Sequence, residues 1–191
     1  MTQIVVYDAN VLYPSALRDI LIRVGLAKVV QPKWTDRILD EVFDHLVSNR
    51  TDLDPEKLLR TRTLMNEAIR DVLVEGYERI IEQLTLPDPD DRHVLAAAVY
   101  AEATVIVTKN LKDFTAAELS KRGITAKHPD RFLTELMSAN SVKVIGVLED
   151  MAQAWRSPTA TVTTISECLR NEVPDFSQAV LDHLSRSESE T

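Results

Sequence analysis

Acidic side chains stand at several points where an apolar run of the sequence gives way to a polar one. Asp8 directly follows the run QIVVY at residues 3–7, and Asp113 comes shortly after TVIV at 104–107. The stretch PDPDDRHVLAAA at 87–98 places three aspartates beside one of the most apolar segments of the chain. Carboxylates gathered at one place repel one another, so such a group needs a neutralising partner.

A divalent cation is the partner that fits such a group of acids. Each pair of carboxylates about 4 Å apart costs on the order of 4 kcal/mol at an effective dielectric constant of 20. Mg²⁺ and Mn²⁺ prefer oxygen ligands, and Mg²⁺ keeps several waters while it shares a substrate phosphate. The corresponding chemistry is phosphodiester hydrolysis, in which the metal lowers the pKa of a water and stabilises charge on the attacked phosphate.

Short buried strands that alternate with helices must position these acids. QIVVY and TVIV are apolar on both faces, which is typical of strands inside a parallel sheet, and residues 124–127 are a third candidate. Helical patterns cover residues 15–24, 35–47, 55–73, 90–102 and 129–137. This alternation predicts a three-layer α/β/α sandwich with a short central parallel sheet.

Four acids are expected to meet at one edge of this sheet. In a parallel α/β sheet, strand carboxyl ends and the amino ends of the following helices lie at the same edge, where ligands bind. Asp8 ends the first strand, Asp113 follows the second, and Asp91 lies in the first turn of a helix. Glu41 flanks the apolar stripe of the helix that begins at Thr35. The predicted topology therefore makes these four acids candidates for one shared site at this edge of the sheet.

Each acid also has a structural interpretation. Asp88 and Asp90 are typical of a helix N-cap and a dipole-matched first turn. Asp8 could be a turn residue, Asp113 could cap a short helix, and Glu41 alone would be an exposed helix acid. The joint placement of the acids, more than any one of them, favours a metal site.

The length of 191 residues suits one domain with an appendage. After about residue 136 the sequence shifts to weaker amphipathic segments, and it ends in SRSESET, which is typical of a frayed tail. We therefore expect a domain over residues 1–135 and a helical extension with a disordered tail over 136–191.

Composition also bears on the setting of the protein. A single cysteine, no signal-peptide pattern and no apolar stretch of about 20 residues predict a cytoplasmic protein without a membrane span. The net charge of −8 argues against a nucleic-acid partner, because generic phosphate binding needs clustered lysine and arginine. A metal ion bound by the acids would cancel part of this negative charge at the site and so weaken the argument against a nucleic-acid partner.

At these residues the chain resembles the PIN-domain nucleases. The similar segments, in family order, are VVYDANVL at 5–12, ILDEVFDHL at 38–46, DPDDRHVLAAA at 88–98, VTKNLKDF at 107–114 and GITAKHPDRFL at 123–133. The resemblance covers roughly residues 1–135. It implies the α/β/α sandwich, Mg²⁺ or Mn²⁺, and endonucleolytic cleavage of RNA.

The resemblance also implies partners. Many bacterial members are VapC-type toxins that a small antitoxin inactivates by placing its tail in the acidic groove, and we expect a homodimer. The extension of about 55 residues is similar only to a longer-chain subgroup, so the mode of partner binding stays open. The alternative functions are a catalytically silent PIN module that binds RNA or protein, and a receiver-type phosphoacceptor domain.

The resemblance assigns roles residue by residue. Asp8, Asp91 and Asp113 would bind metal, and Glu41 would bind metal or activate the water. Asp88 and Asp90 are second choices for the third metal position. The residues expected to orient ligands or phosphate are Asn10, Thr108 and Asn110, with Lys109 and Lys112 as candidate phosphate contacts.

Other polar residues carry weaker predictions. Lys57, Arg60, Arg62 and Arg70 are a second possible source of phosphate contacts, although an ordinary solvated helix face is the better interpretation. The four histidines show no ligand spacing and receive no chemical role. Trp34 and Trp155 are expected to pack in or against the core.

Overall fold

The computed structural model describes residues 2–155 and 160–189. Within these residues, four parallel strands form one sheet in the order β2-β1-β3-β4. The strands are β1 (Gln3–Tyr7), β2 (Val30–Lys33), β3 (Val105–Val107) and β4 (Thr125–Lys127). Helices flank the sheet, which confirms the three-layer α/β/α architecture.

Helices make up most of the remaining described chain. The first seven are α1 (Ala9–Leu12), α2 (Ser15–Leu26), α3 (Asp36–Asn49), α4 (Pro55–Ala68), α5 (Glu78–Ile81), α6 (Arg92–Tyr100) and α7 (Ala116–Leu119). A 3₁₀ turn at Ser120–Arg122 follows α7. The last four helices are α8 (Pro129–Ala139), α9 (Ser141–Ala154), α10 (Val162–Leu169) and α11 (Pro174–Ser189). None of the helices in the described residues is both long and apolar enough to cross a membrane.

The three predicted strands are confirmed, but β2 was not predicted. Its sequence VQPK contains Pro32, which cannot donate a hydrogen bond to a neighbouring strand. The structure tolerates this proline because β2 lies at an edge of the sheet. Gly25 of α2 allows close packing there, since a Cβ at that position would lie 2.6 Å from Cγ of Pro32.

The fourth helix is shorter than the sequence pattern predicts. The helix predicted over 55–73 ends at Ala68, and a turn over residues 69–71 leads to an isolated parallel bridge between Leu73 and Trp34. The amide of Trp34 donates to Val72 O, and the amide of Val74 donates to Trp34 O. These hydrogen bonds explain why the apolar residues after Ala68 leave the helix, because they extend the pairing beyond β2.

The prediction that Asp88 or Asp90 starts the helix over 90–102 is wrong. Helix α6 begins at Arg92 and ends at Tyr100, and its N-cap residue Asp91 makes no side-chain capping bond. The Asp88 carboxylate instead accepts from the amide of Asp90 in the preceding turn. Asp113 also caps no helix, because α7 begins after Thr115.

The C-terminal helices share one core with the sheet domain. Helix α9 packs against α2, and α11 packs against α8. Val144, Leu148, Ile165 and Phe176 are fully buried in the same hydrophobic cluster as β1. Helix α11 continues to Ser189, so most of the segment expected to be a frayed tail is helical.

Candidate active site

Asp8 lies at the carboxyl end of β1 and is 4% exposed. Its Oδ1 accepts a 2.7 Å hydrogen bond from the amide of Ala9 and thereby caps α1. Its Oδ2 accepts from Asn10 Nδ2 and from Thr108 Oγ1, each at 2.6 Å. Three donors therefore hold this carboxylate in one orientation at the sheet edge.

Asn10 and Thr108 are joined in the same network. Asn10 Nδ2 lies 3.0 Å from Thr108 Oγ1, and Asn10 Oδ1 accepts from the amide of Lys109 at 2.9 Å. Thr108 Oγ1 accepts from the amide of Asn110 at 2.9 Å. The turn after β3 is thus tied directly to the turn after β1, and both Asn10 and Thr108 lie at the acids, where the resemblance places them.

Glu41 enters the site from α3. Thr35 caps this helix by accepting from the amide of Ile38 at 3.1 Å, which fixes where its first turn begins. Glu41 Oε1 lies 2.9 Å from Nε2 of His93 and 3.7 Å from Nε of Arg37. His93 is 1% exposed, and its Nδ1 has no hydrogen-bond partner among the described residues.

Sequence reasoning missed His93. The residue stands two positions after Asp91 in an otherwise apolar helix face, and it was given no role because the histidines lack ligand spacing. A buried polar side chain needs a partner, so a histidine directly before the run VLAAA could have indicated one. That partner is Glu41 on a different helix.

Asp91 connects two groups of acids. Its Oδ2 accepts from Asn110 Nδ2 at 3.0 Å. Carboxylate oxygens of Asp88, Asp91 and Asp113 all lie within 4.8 Å of one another. Asp91 also lines a cleft with Asp8 and Glu41. The structure therefore brings Asp88, only a second choice at first, into contact range of Asp91 and Asp113.

The electrostatics of the site follow from this crowding. Partial burial raises the pKa of Asp91 to about 6, and the negative charges of Asp8, Asp88 and Asp113 add to the effect. Burial also raises the pKa of Asp8, although its hydrogen bonds from Thr108 and Ala9 work in the opposite direction. Both carboxyls therefore bear their charge at an energetic cost when no cation is near.

The donor set fits a hard divalent cation. Every acid at the site offers carboxylate oxygens, and such oxygens are the ligands that Mg²⁺ and Mn²⁺ prefer. The described part of the chain brings no cysteine to this group. Of the two histidines near it, His93 contacts Glu41 through Nε2, and His45 lines the cleft that holds Asp8, Glu41 and Asp91. Burial and then the negative charges of the neighbouring acids raise the pKa of Asp91, and a bound cation would offset that cost.

The predicted lysines lie at different distances from the acids. Lys109 forms an ion pair with Glu172, which follows α10 in the C-terminal helices. Lys112 is 84% exposed, and its Nζ lies 4.0 Å from Asp113 Oδ2. In the other basic segment, Arg62 pairs with Asp36 and Asp40, so this arginine is engaged within the domain.

Comparison with known families gives the class of the protein. The family model described as "PIN domain" matches residues 4–112, more than half of the chain. The chain therefore belongs to the PIN-domain family. A second family model, described as "VapC50 C-terminal domain", matches residues 129–182, which contain α8 to α10 and much of α11.

One relative is similar over part of the chain. It is the protein named "Putative ribonuclease VapC50" of Mycobacterium tuberculosis (strain ATCC 25618 / H37Rv), which is 41% identical over 86 residues. The aligned part is 45% of this chain and 51% of the relative, so the chain spans about half the length of the relative it matches. No solved structure matches the chain.

Proposed function

We propose that the protein is a metal-dependent endoribonuclease that hydrolyses RNA phosphodiester bonds. The observation that supports this most directly is the position of Asp91, which shares a cleft with Asp8 and Glu41 and lies within 4.8 Å of acids on its other side. A single carboxylate at the meeting point of so many acids is costly without a cation. Membership of the PIN-domain family and a relative that is named a ribonuclease support the same reaction.

The site residues take distinct roles in this proposal. Asp8, Asp91 and Asp113 bind Mg²⁺ or Mn²⁺, and Glu41 binds the metal or activates the attacking water. Asp88 joins them as a further oxygen ligand on the side of Asp113. When bound, the metal supplies Lewis acidity toward the attacked phosphate and lowers the pKa of water.

The surrounding polar residues keep the acids in position. Asn10 and Thr108 hold the Asp8 carboxylate through two 2.6 Å hydrogen bonds, and Asn110 holds Asp91. Lys109 and Lys112 provide positive charge beside the acids for RNA phosphates. Oriented ligands of this kind raise metal affinity because less ordering remains to be done on binding.

The biological role that best fits these features is that of the toxin in a type II toxin-antitoxin pair. Its partners are an RNA substrate and a small antitoxin protein, it acts in the cytoplasm, and it forms a homodimer. The similarity to a VapC protein and to the VapC50 C-terminal family supports this role. Induced expression tests it, since the wild type should arrest bacterial growth and Asp91→Asn should not.

A cleavage assay with a labelled RNA of mixed sequence tests the reaction. Mn²⁺ or Mg²⁺ should support cleavage, excess chelator should abolish it, and Asp91→Asn should lower the rate at least 100-fold while the protein stays folded. Asp44→Asn changes an exposed acid on α3, the helix that carries Glu41; it is the matched control and should keep full activity. Millimolar Mn²⁺ should also raise the melting temperature of the wild type by mass action. Cleavage that persists in Asp91→Asn or in chelator would overturn the proposal.

A further inference from the structure

A second cleft lies beside the acids, between the turn after α1, the start of α4 and the segment after α10. Its volume is about 560 Å³, which is in the range of pockets that hold small ligands. Tyr13, Lys57, Asn171 and Glu172 are among its lining residues. Asn171 and Glu172 belong to the C-terminal helical part, so this part of the chain forms one wall.

This cleft is linked to the candidate active site through α1 and through a chain of polar contacts. Tyr13 is the C-cap residue of α1, the four-residue helix that Asp8 caps at its other end. Glu172 forms an ion pair with Lys109, and the amide of Lys109 donates to Asn10, the asparagine that holds Asp8. A strand of RNA with its scissile phosphate at the acids would therefore reach the cleft within a short distance.

The polar groups that remain free in the cleft suit a nucleotide. Among the described residues, the hydroxyl of Tyr13, the ammonium of Lys57 and the amide of Asn171 have no hydrogen-bond or ion-pair partner. An aromatic ring can stack on a base, an ammonium can pair with a phosphate, and an amide can bind a base edge.

The acids in the wall of the cleft are already engaged. Asp54 caps α4 by accepting from the amide of Glu56 at 2.9 Å, and Glu172 pairs with Lys109. Arg50 at the same cleft is paired with Asp52. Arg18, which also lines the cleft, donates to the carbonyls of Leu12 and Tyr13. Among the described residues, Lys57 is thus the cation of this wall whose ammonium has no hydrogen-bond or ion-pair partner.

We infer that this cleft binds a nucleotide of the RNA strand next to the scissile phosphate, with the C-terminal helices as one wall. The inference rests on the proposed nuclease function and names how its substrate is held. Tyr13 stacks on the base, Lys57 pairs with a phosphate, and Asn171 contacts the base edge. Glu172 opposes binding, because its carboxylate repels phosphate and also occupies Lys109.

Binding of a fluorescent 12-nucleotide single-stranded RNA tests the cleft. All variants carry Asp91→Asn so that the RNA stays intact, and binding is measured by fluorescence anisotropy at several salt concentrations. Lys57→Gln should weaken binding about 3- to 10-fold and lower the magnitude of the salt slope by about 0.7. Tyr13→Leu should weaken binding at least 5-fold, while Tyr13→Phe keeps it. Lys143→Gln, an exposed lysine on α9 that does not line the cleft, is the matched control and should change binding little.

Glu172→Gln should have the opposite effect. Its RNA affinity should rise about 3-fold and its salt slope should steepen, because the charge of Lys109 becomes available to phosphate. Adding Lys109→Gln should remove most of that gain. Glu167→Gln, an exposed acid on α10 that does not line the cleft, is the control and should change little. Opposite signs for Lys57→Gln and Glu172→Gln exclude general loss of folding as the cause.

The outcomes separate this inference from the proposed function. RNA cleavage by the wild type together with unchanged binding in Lys57→Gln and Tyr13→Leu would overturn the cleft and leave the nuclease intact. If RNA binding were unchanged in these variants but they no longer bound a protein partner that the wild type binds, the cleft would be assigned to that partner. Weaker binding in Glu172→Gln would also overturn the inference. Absence of cleavage in Mn²⁺ would contradict the nuclease whatever the binding results.

Discussion

His93 on α6 lies 2.9 Å from Glu41 on α3, through its Nε2 and the carboxylate Oε1. The imidazole is buried and its Nδ1 has no partner in the described residues, so the contact of Nε2 with Glu41 is the polar contact that the structure gives this ring. The carboxylate, in contrast, is partly exposed toward the cleft that it shares with Asp8 and Asp91. We therefore expect His93 to be a positioning residue that sets how Glu41 faces the other acids.

Replacing His93 tests this role. His93→Leu keeps most of the buried volume but removes the donor, and we expect a 10- to 100-fold loss of metal affinity or activity, as for other residues that orient metal ligands. His93→Gln should restore a large part of it, because the glutamine amide can donate to Glu41. Mn²⁺ titration calorimetry and RNA cleavage measure both effects. Equal losses in the two variants would indicate a packing role only.

Asparagine substitutions at Asp8 and Asp91 should differ in their effect on stability. Asn10 Oδ1 accepts from the amide of Lys109, so Asn10 presents its Nδ2 to Asp8. An asparagine at position 8 would place its own amide nitrogen against either Ala9 N–H or Asn10 Nδ2, and one donor would lose its acceptor. Such a loss costs about 1–3 kcal/mol for a buried group.

Asp91→Asn has no such penalty. Its remaining oxygen can still accept from Asn110 Nδ2, and the repulsion by Asp8, Asp88 and Asp113 is removed. Chemical denaturation without metal should therefore show Asp91→Asn to be at least as stable as the wild type and Asp8→Asn to be less stable. Both variants should be inactive. A larger destabilisation by Asp91→Asn than by Asp8→Asn would contradict this account of the site.

The raised pKa of Asp91 predicts how stability depends on pH. The ordinary aspartate value is 3.8, whereas the folded value is about 6, so the folded state binds the proton more tightly than the unfolded state. The metal-free protein should therefore lose stability from this group as pH rises from about 4 to 6. Asp91→Asn removes the effect. The difference in unfolding free energy between this variant and the wild type should grow across that window and level off above it. A difference that is constant with pH would refute the prediction.

The sheet domain could be predicted from the sequence because its strands and helices have strong local patterns. β1 and β3 are apolar on both faces, and α3 shows a regular stripe from Ile38 to Leu46. β2 escaped prediction because Pro32 weakens its local pattern, and only its edge position in the sheet makes the proline acceptable. Tertiary context, which a local pattern does not contain, decides such cases.

In the candidate site, too, some residues could be placed from the sequence and others could not. Asp8, Glu41 and Asp91 could be brought together from topology, because strand ends and helix starts share one edge of the sheet. The contacts of His93 with Glu41 and of Glu172 with Lys109 join elements far apart in the sequence. No spacing rule connects these residues, so their roles appear only once the helices are packed.

Asp130 joins the C-terminal helices to the sheet domain. Its buried carboxylate accepts from the amides of Asp175 at 3.1 Å and Phe176 at 2.8 Å, the otherwise unpaired donors at the start of α11. Asp130→Ala should lower the free energy of unfolding by about 1–2 kcal/mol and speed hydrogen exchange at these two amides. Asp130→Asn keeps one acceptor and should lose less, and Asp150→Ala, an exposed acid on α9, should change little.

The Asp130 contact also bears on the wall of the second cleft. Because α11 packs against α8 next to the segment that carries Glu172, a loosened α11 should also weaken the wall beside Lys109. Unchanged exchange at Asp175 and Phe176 in Asp130→Ala would show that the helix is held by its apolar face alone.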